Sequence, residues 1–157
     1  MGYRSDVAYT IRFVVEPTDL GEDQVEETEE CRKLFYTFLA EAKSKTETRS
    51  CFDESMEINK DVSPPKGEGF HVDYEKMTIN FLAYSVKWYP DYTDVKCHNE
   101  LVGLAQEWAS DNDYIGGVFS RIGEEVDDTE DFTWGTGDYD WLYVRRQIVC
   151  DWVVDHS

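Results

Sequence analysis

Apolar and polar residues alternate from residue 6 to 15, with Val7, Tyr9, Ile11, Phe13 and Val15 on one side and the more polar Thr10 and Arg12 on the other. Successive side chains of an extended chain point to opposite faces, so this segment predicts a strand with one apolar face. A turn around Pro17, Asp19 and Gly21 follows. From about Glu22 to Lys43 the period lengthens: Cys31, Leu34, Phe35, Phe38, Leu39 and Ala42 recur at three- and four-residue steps. That spacing gathers them on one stripe of an amphipathic helix. Its acidic start and the lysines Lys43 and Lys45 at its end both suit the helix dipole.

Residues 44–68 are polar and hold Pro64, Pro65 and Gly67, which predicts a long excursion with a short strand or helix near Cys51–Ile58. Phe70, Val72 and Tyr74 then alternate, Glu75-Lys76 turns the chain, and Met77–Trp88 is partly apolar on both sides, as in a central strand with some cover on its second face. Pro90 ends it. A second helix is predicted from about Tyr92 or Asp94 to Ser110, burying Cys97, Leu101, Leu104, Ala105 and Trp108. Tyr114–Ile122 is the next strand, with Gly116 and Gly117 permitting a bulge or close approach. An acidic loop leads to a turn at Trp134–Asp138, and Trp141–Val154 supplies one long final strand or two bent halves.

The order is strand, helix, hairpin, helix, strand and an added strand. It predicts an α+β fold: a mostly antiparallel sheet with two helices packed on one face, an elaborated split β-α-β arrangement. No linker or repeat divides residues 1–157, so a single domain is expected.

Charge changes the picture more than any local motif. The chain has 34 acidic and 15 basic residues, a net charge of -19, while 41% hydrophobic and 15% aromatic residues mark it as folded. So large a charge disfavours contact with bare nucleic acid or an anionic membrane and steers positive partners toward the surface. Two blocks carry no Lys or Arg: eight acids between Glu16 and Glu30, and seven between Glu124 and Asp138. Pairs such as Glu22/Glu26, Asp23/Glu27 and Glu26/Glu30 stand about 5–6 Å apart on a helix, comparable to the 3.4 Å rise per phosphate of a nucleic-acid strand. Either block is also what a solvated helix face or an acidic loop looks like. The aromatics Phe132, Trp134, Tyr139 and Trp141 interleave with the second block, and Trp134, in its glycine-bearing turn, is expected to be exposed.

Catalytic patterns are scarce. The chain has no CxxC, HExxH or P-loop, and its adjacent Cys97-His98 lies on a helix where neighbouring side chains diverge. Asp111–Gly116 opens like a calcium loop, but Ile115 and Ile122 stand where oxygen ligands are required. No catalytic residue, metal or cofactor is therefore assigned. Four cysteines without an apolar export signal are expected to be free thiols, with Cys31 and Cys150 as small core residues.

The opening Met1–Val7, the Trp88–Tyr92 region leading into a helix, and the segment Phe119–Glu130 with its Arg121-Ile122-Gly123-Glu124-Glu125 core resemble a family of small acidic proteins encoded by bacteriophages and prophages. The likeness covers about half the chain. It implies a viral origin and a setting in the host cell cytoplasm, and supplies no activity or catalytic residues. A small acidic phage protein suits an inhibitor of a host defence or nucleic-acid-binding protein, by analogy with anti-CRISPR and anti-restriction DNA mimics. The expected interface is Glu22, Asp23, Glu26, Glu27 and Glu30 together with Glu124, Glu125, Asp127, Asp128, Glu130, Asp131 and Trp134. Its partner would be a basic surface rather than nucleic acid itself, and the proposal depends on the two blocks sharing a face. The alternatives are a self-associating structural or accessory phage protein, and a small carboxylate-dependent enzyme acting on a nucleotide.

Overall fold

A computed structural model of the chain describes residues 3–13, 21–53, 56–58, 69–112, 114–125, 127–135, 142–144 and 148–150, with side chains given for all of these except 21–27, 56–58, 142–144 and 148–150. Five strands form the antiparallel body of the sheet: β1 (Ser5–Phe13), β3 (Gly69–Asp73), β4 (Thr78–Val86), β5 (Ile115–Gly123) and β6 (Thr129–Gly135). The short β2 (Met56–Ile58) adds to one edge, parallel to β3. The spatial order is β2-β3-β4-β1-β5-β6. Within it, β3-β4-β1-β5 is the strand order of a split β-α-β unit, so the α+β architecture expected from the periodicities is the one observed.

Helix α1 (Gly21–Ser44) and helix α2 (Thr93–Asp111) cover one face of the sheet. Cross-strand partners share a face, so Tyr9 stands beside Phe81 and Phe119, and Ile11 beside Ile79 and Gly117. On this face Phe13 meets Phe35 and Phe38 of α1 at ring separations of 5.3 and 5.6 Å, and Phe38 meets Trp108 of α2 edge-on at 5.3 Å. These aromatic pairs join both helices to β1 in one core.

The opposite face is more covered than the pattern Thr10/Arg12 suggests. Ala8, Thr10, Leu82, Asn80, Val118, Ser120 and Ile122 are all buried there. A two-stranded ribbon, β7 (Leu142–Val144) and β8 (Ile148–Cys150), lies against β5 and β1. The predicted final strand is therefore a separate hairpin. Thr10 keeps its hydroxyl satisfied underneath by donating to Asn80 Oδ1 at 2.8 Å.

The polar excursion contains the short 3-10 turn Arg49–Phe52 as well as β2, and residues 14–20, including Val15, lie outside the described set. The Asp111–Ile122 segment is the end of α2 followed by β5, not a calcium loop. The largest departure concerns the second acidic block. Residues 129–135, expected as loop, form β6 through a full ladder with β5, from Ile122 opposite Thr129 to Gly116 opposite Gly135. Acid-rich sequence masks its strand character because this edge strand is solvated on both faces from Thr129 to Thr133, which tolerates Glu130 and Asp131 side by side.

Candidate protein-binding surface

The second acidic block is built around a clamp. Arg121, near the end of β5, donates from Nη2 to Asp128 Oδ1 at 2.8 Å and from Nη1 to Oδ2 at 3.2 Å. The same carboxylate accepts the Tyr3 hydroxyl at 2.5 Å, and that hydroxyl accepts the Glu125 backbone N–H at 3.1 Å. Backbone bonds close the loop beneath them: Gly123 N–H to Asp128 carbonyl at 2.7 Å and Asp128 N–H to Glu125 carbonyl at 3.1 Å. Gly123 is required here, since a Cβ would collide with Asp128 and the Tyr3 hydroxyl. The Arg121 guanidinium, and then the Tyr3 hydroxyl, hold the Asp128 carboxyl down at about 2. Tyr3 moves the other way, its hydroxyl raised by the bond to Asp128.

A second tie comes from Arg4. Its backbone N–H donates to Glu124 Oε1 at 2.8 Å, and its guanidinium donates to the Ser85 carbonyl at 2.7 Å. Ser85 lies in a bulge of β4, where the register with β1 shifts between Ser5 and Val7, and its N–H is held by Asp6 Oδ1 at 2.8 Å. Tyr3 and Arg4, leading into β1, thus fix the acidic loop from two sides.

What remains outward is strongly negative. Glu124, Glu125, Asp127, Glu130 and Asp131 are exposed, whereas Asp128 is turned inward to Arg121. Arg121 reaches Glu130 only at 4.0 Å and is itself mostly covered, with 18% of its side chain accessible. Phe132 adds an apolar element to the ridge: 36% exposed, it stacks on Phe119 at 5.1 Å. Among the described residues no strand pairs with the outer side of β6, and Thr129–Thr133 are all exposed.

Trp134 is a correction to the expected surface. It is 9% exposed and lies in the core cluster, opposite Gly117. Its indole occupies the space where a side chain at 117 would stand. The glycine pair Gly116-Gly117 was legible as close approach, but its partner was not.

Glu30, a described acid of the first block, stands apart from the second block. Glu30 is exposed on α1, and the side chains of Glu22, Asp23, Glu26 and Glu27 lie outside the described residues. Glu30 precedes by little more than a turn Phe35, which packs on Phe13 at the C-terminal end of β1. The acidic loop is tied to Arg4 and Tyr3 at the N-terminal end of the same strand. Nine extended residues separate the two ends by roughly 27 Å. The described acids therefore do not merge into one cluster.

A groove of about 270 Å³ between α1 and α2 is lined by Glu41, Glu107 and Asp111 with one cation, Lys45. Glu41 accepts the Trp108 indole N–H at 2.7 Å and has Lys45 at 3.8 Å. A nucleotide phosphate would meet carboxylates there.

Beneath the surface lies a cluster that the sequence did not announce. Cys97 and His98 do not diverge from a common neighbour: Cys51 Sγ stands 2.7 Å from Cys97 Sγ and 3.7 Å from His98 Nδ1. The Tyr9 hydroxyl lies 2.7 Å from the same Nδ1. Phe81 stacks on the imidazole at 4.1 Å. Burial lowers the His98 imidazole to about 4, against a smaller upward pull from Asp94. Cys51, from the polar excursion, could not be linked to Cys97 by spacing alone.

Among the described residues no three His, Cys, Asp or Glu side chains are gathered to hold a metal ion, and no helix is long and apolar enough to cross a membrane. No protein-family model, curated protein or solved structure matches the chain.

Proposed function

We propose that the protein acts by protein–protein contact, presenting the ridge Glu124, Glu125, Asp127, Glu130, Asp131 and Phe132 to a basic surface of a nucleic-acid-binding protein. The observation that carries this reading is the Arg121–Asp128–Tyr3 clamp, which holds a loop of like charges in one conformation. Carboxylates left to solvent gain nothing from being held together and repel one another. A fixed array loses less freedom on binding and offers a complementary field to Lys and Arg. Phe132 supplies the apolar contact that such a polar rim surrounds.

The resemblance to phage-encoded acidic proteins gives this ridge a biological setting: an inhibitor in the host cytoplasm that takes the place of DNA or RNA in a defence protein or nucleic-acid enzyme. Self-association through the β6 edge is the weaker reading, because a second copy would bring Glu130 and Asp131 against like charges. The test is capture from a bacterial lysate on the immobilised chain, with duplex DNA as competitor and at two salt concentrations. Captured proteins should bind DNA, be displaced by the competitor and be lost at high salt. Capture that resists both DNA and salt sinks the proposal.

A further inference from the structure

We infer that Cys51 and Cys97 form a site of oxidative cross-linking, closed to a disulfide by a small hydroperoxide. The two sulfurs already stand 2.7 Å apart, against about 2.05 Å in a disulfide. They come from different elements, the Arg49–Phe52 turn and the first half of α2, so their meeting is a product of the fold. Two thiolates on one zinc at 2.3 Å would be about 3.8 Å apart, which makes this spacing too tight for a shared metal.

The surroundings direct the chemistry. The Cys97 sulfur accepts the Ser50 hydroxyl at 3.1 Å and donates to the Thr48 carbonyl at 3.4 Å. Thr48 is itself anchored, its hydroxyl donating to the Ala42 carbonyl at 2.5 Å. The turn is therefore pinned to the end of α1, and among the described residues the third cysteine, Cys31, is buried in the core without a hydrogen bond to either sulfur. Both sulfurs are nearly covered, Cys51 at 6% and Cys97 at 4% exposure, so an oxidant the size of water is admitted more readily than a peptide disulfide.

One sulfur, as thiolate, attacks an oxygen of hydrogen peroxide; the O–O bond breaks, a sulfenic acid forms and hydroxide leaves, taking up the proton released by the thiol to become water. The second thiol attacks the sulfenic sulfur, the S–O bond breaks, and its proton leaves with the oxygen as a second water. Two S–H bonds are lost, one S–S bond is made, and peroxide is reduced. Burial holds the Cys51 thiol far above its ordinary range, which makes the first step slow compared with an exposed cysteine.

The test uses the intact chain, reduced and then treated with hydrogen peroxide. After denaturation and alkylation, the product should be about 2 Da lighter before labelling, with Cys51 and Cys97 in one cross-linked peptide and the other two cysteines, Cys31 and Cys150, alkylated. Native melting should rise by roughly 5–10 °C and return to its starting value with dithiothreitol. In Cys51→Ser the peroxide-dependent rise should vanish. Alkylation of both Cys51 and Cys97 after treatment, or a dioxygenated single cysteine in place of the link, overturns the proposal.

Discussion

Arg121 holds Asp128 through two bonds, at 2.8 and 3.2 Å, while the five neighbouring acids from Glu124 to Asp131 face solvent. One cation turned inward thus orders a loop whose outward charge it barely offsets. The Asp128 carboxyl, held at about 2, keeps its contribution at all pH above its ordinary range near 4 and loses it as pH falls through 2. Acid titration between about pH 4 and 2 should therefore release the loop. At neutral pH, Asp128→Asn should do the same, raising hydrogen exchange of the Gly123, Glu125 and Asp128 amides several-fold while the β1–β4 amides stay protected. Unchanged exchange at those three amides would show that the backbone bonds alone order the loop.

Gly117 and Trp134 make a second pair with a measurable consequence. The indole fills the place of a Cβ at 117, so Gly117→Ala should force the ring aside and cost about 1–3 kcal/mol in denaturant unfolding. Trp134 fluorescence should shift to the red. Substitution at the outward Thr133 should do neither.

His98 sets a pH dependence of its own. Its folded value, about 4, lies below the ordinary 6.5, so the unfolded chain takes the proton first. The stability this residue contributes is complete above about pH 6.5 and is lost as pH falls toward 4, a difference of at most about 3 kcal/mol. Falling pH also relieves repulsion among the many carboxylates, so the wild-type curve alone mixes two effects. The difference between wild type and His98→Gln isolates the imidazole. It should slope between pH 6.5 and 4 and be flat above; a flat difference throughout would place His98 in solvent.

Among the described residues, two non-glycine residues adopt a positive φ, Met77 at 54° and Ser85 at 55°. Ser85 is exposed in the β4 bulge and uses its backbone N–H and carbonyl for Asp6 and Arg4. Ser85→Gly should stabilise by up to about 1 kcal/mol, because glycine enters that region without steric cost. Met77→Gly should destabilise instead, since the Met77 side chain is buried against the core. Stabilisation by both would mean that backbone strain outweighs packing at Met77 as well, and destabilisation by both would contradict strain at Ser85.

Periodicity carried the architecture: the two-residue repeat of Val7–Phe13 and the helical stripe from Cys31 to Ala42 name the buried faces directly. It carried less where a residue's environment is set by a distant element. Thr10, Asn80 and Ser120 look solvated in sequence but are buried, and the ribbon β7–β8, which sequence does not place, lies against β1 and β5. Glu130 and Asp131 hid the strand β6, because an edge strand needs apolar residues only where it meets the core, here at Trp134. The acidic ridge was legible as composition, while its ordering by Tyr3 and Arg121, 118 residues apart (121 − 3), was not. Cys51 and Cys97 meet for the same reason.

The measurement that bears most directly on the binding ridge is capture of the DNA-displaceable lysate proteins by two charge-neutralised variants. One carries Glu124→Gln, Glu125→Gln, Asp127→Asn, Glu130→Gln and Asp131→Asn; the other carries Glu22→Gln, Glu26→Gln, Glu27→Gln and Glu30→Gln. Both must first show wild-type melting. The assignment of binding to the second block predicts that the first variant loses about tenfold or more of its capture at low salt, from several weakened charge contacts, while the second stays within about twofold. Full capture by the first variant, or its loss only in the second, would contradict the assignment of binding to the Glu124–Phe132 ridge.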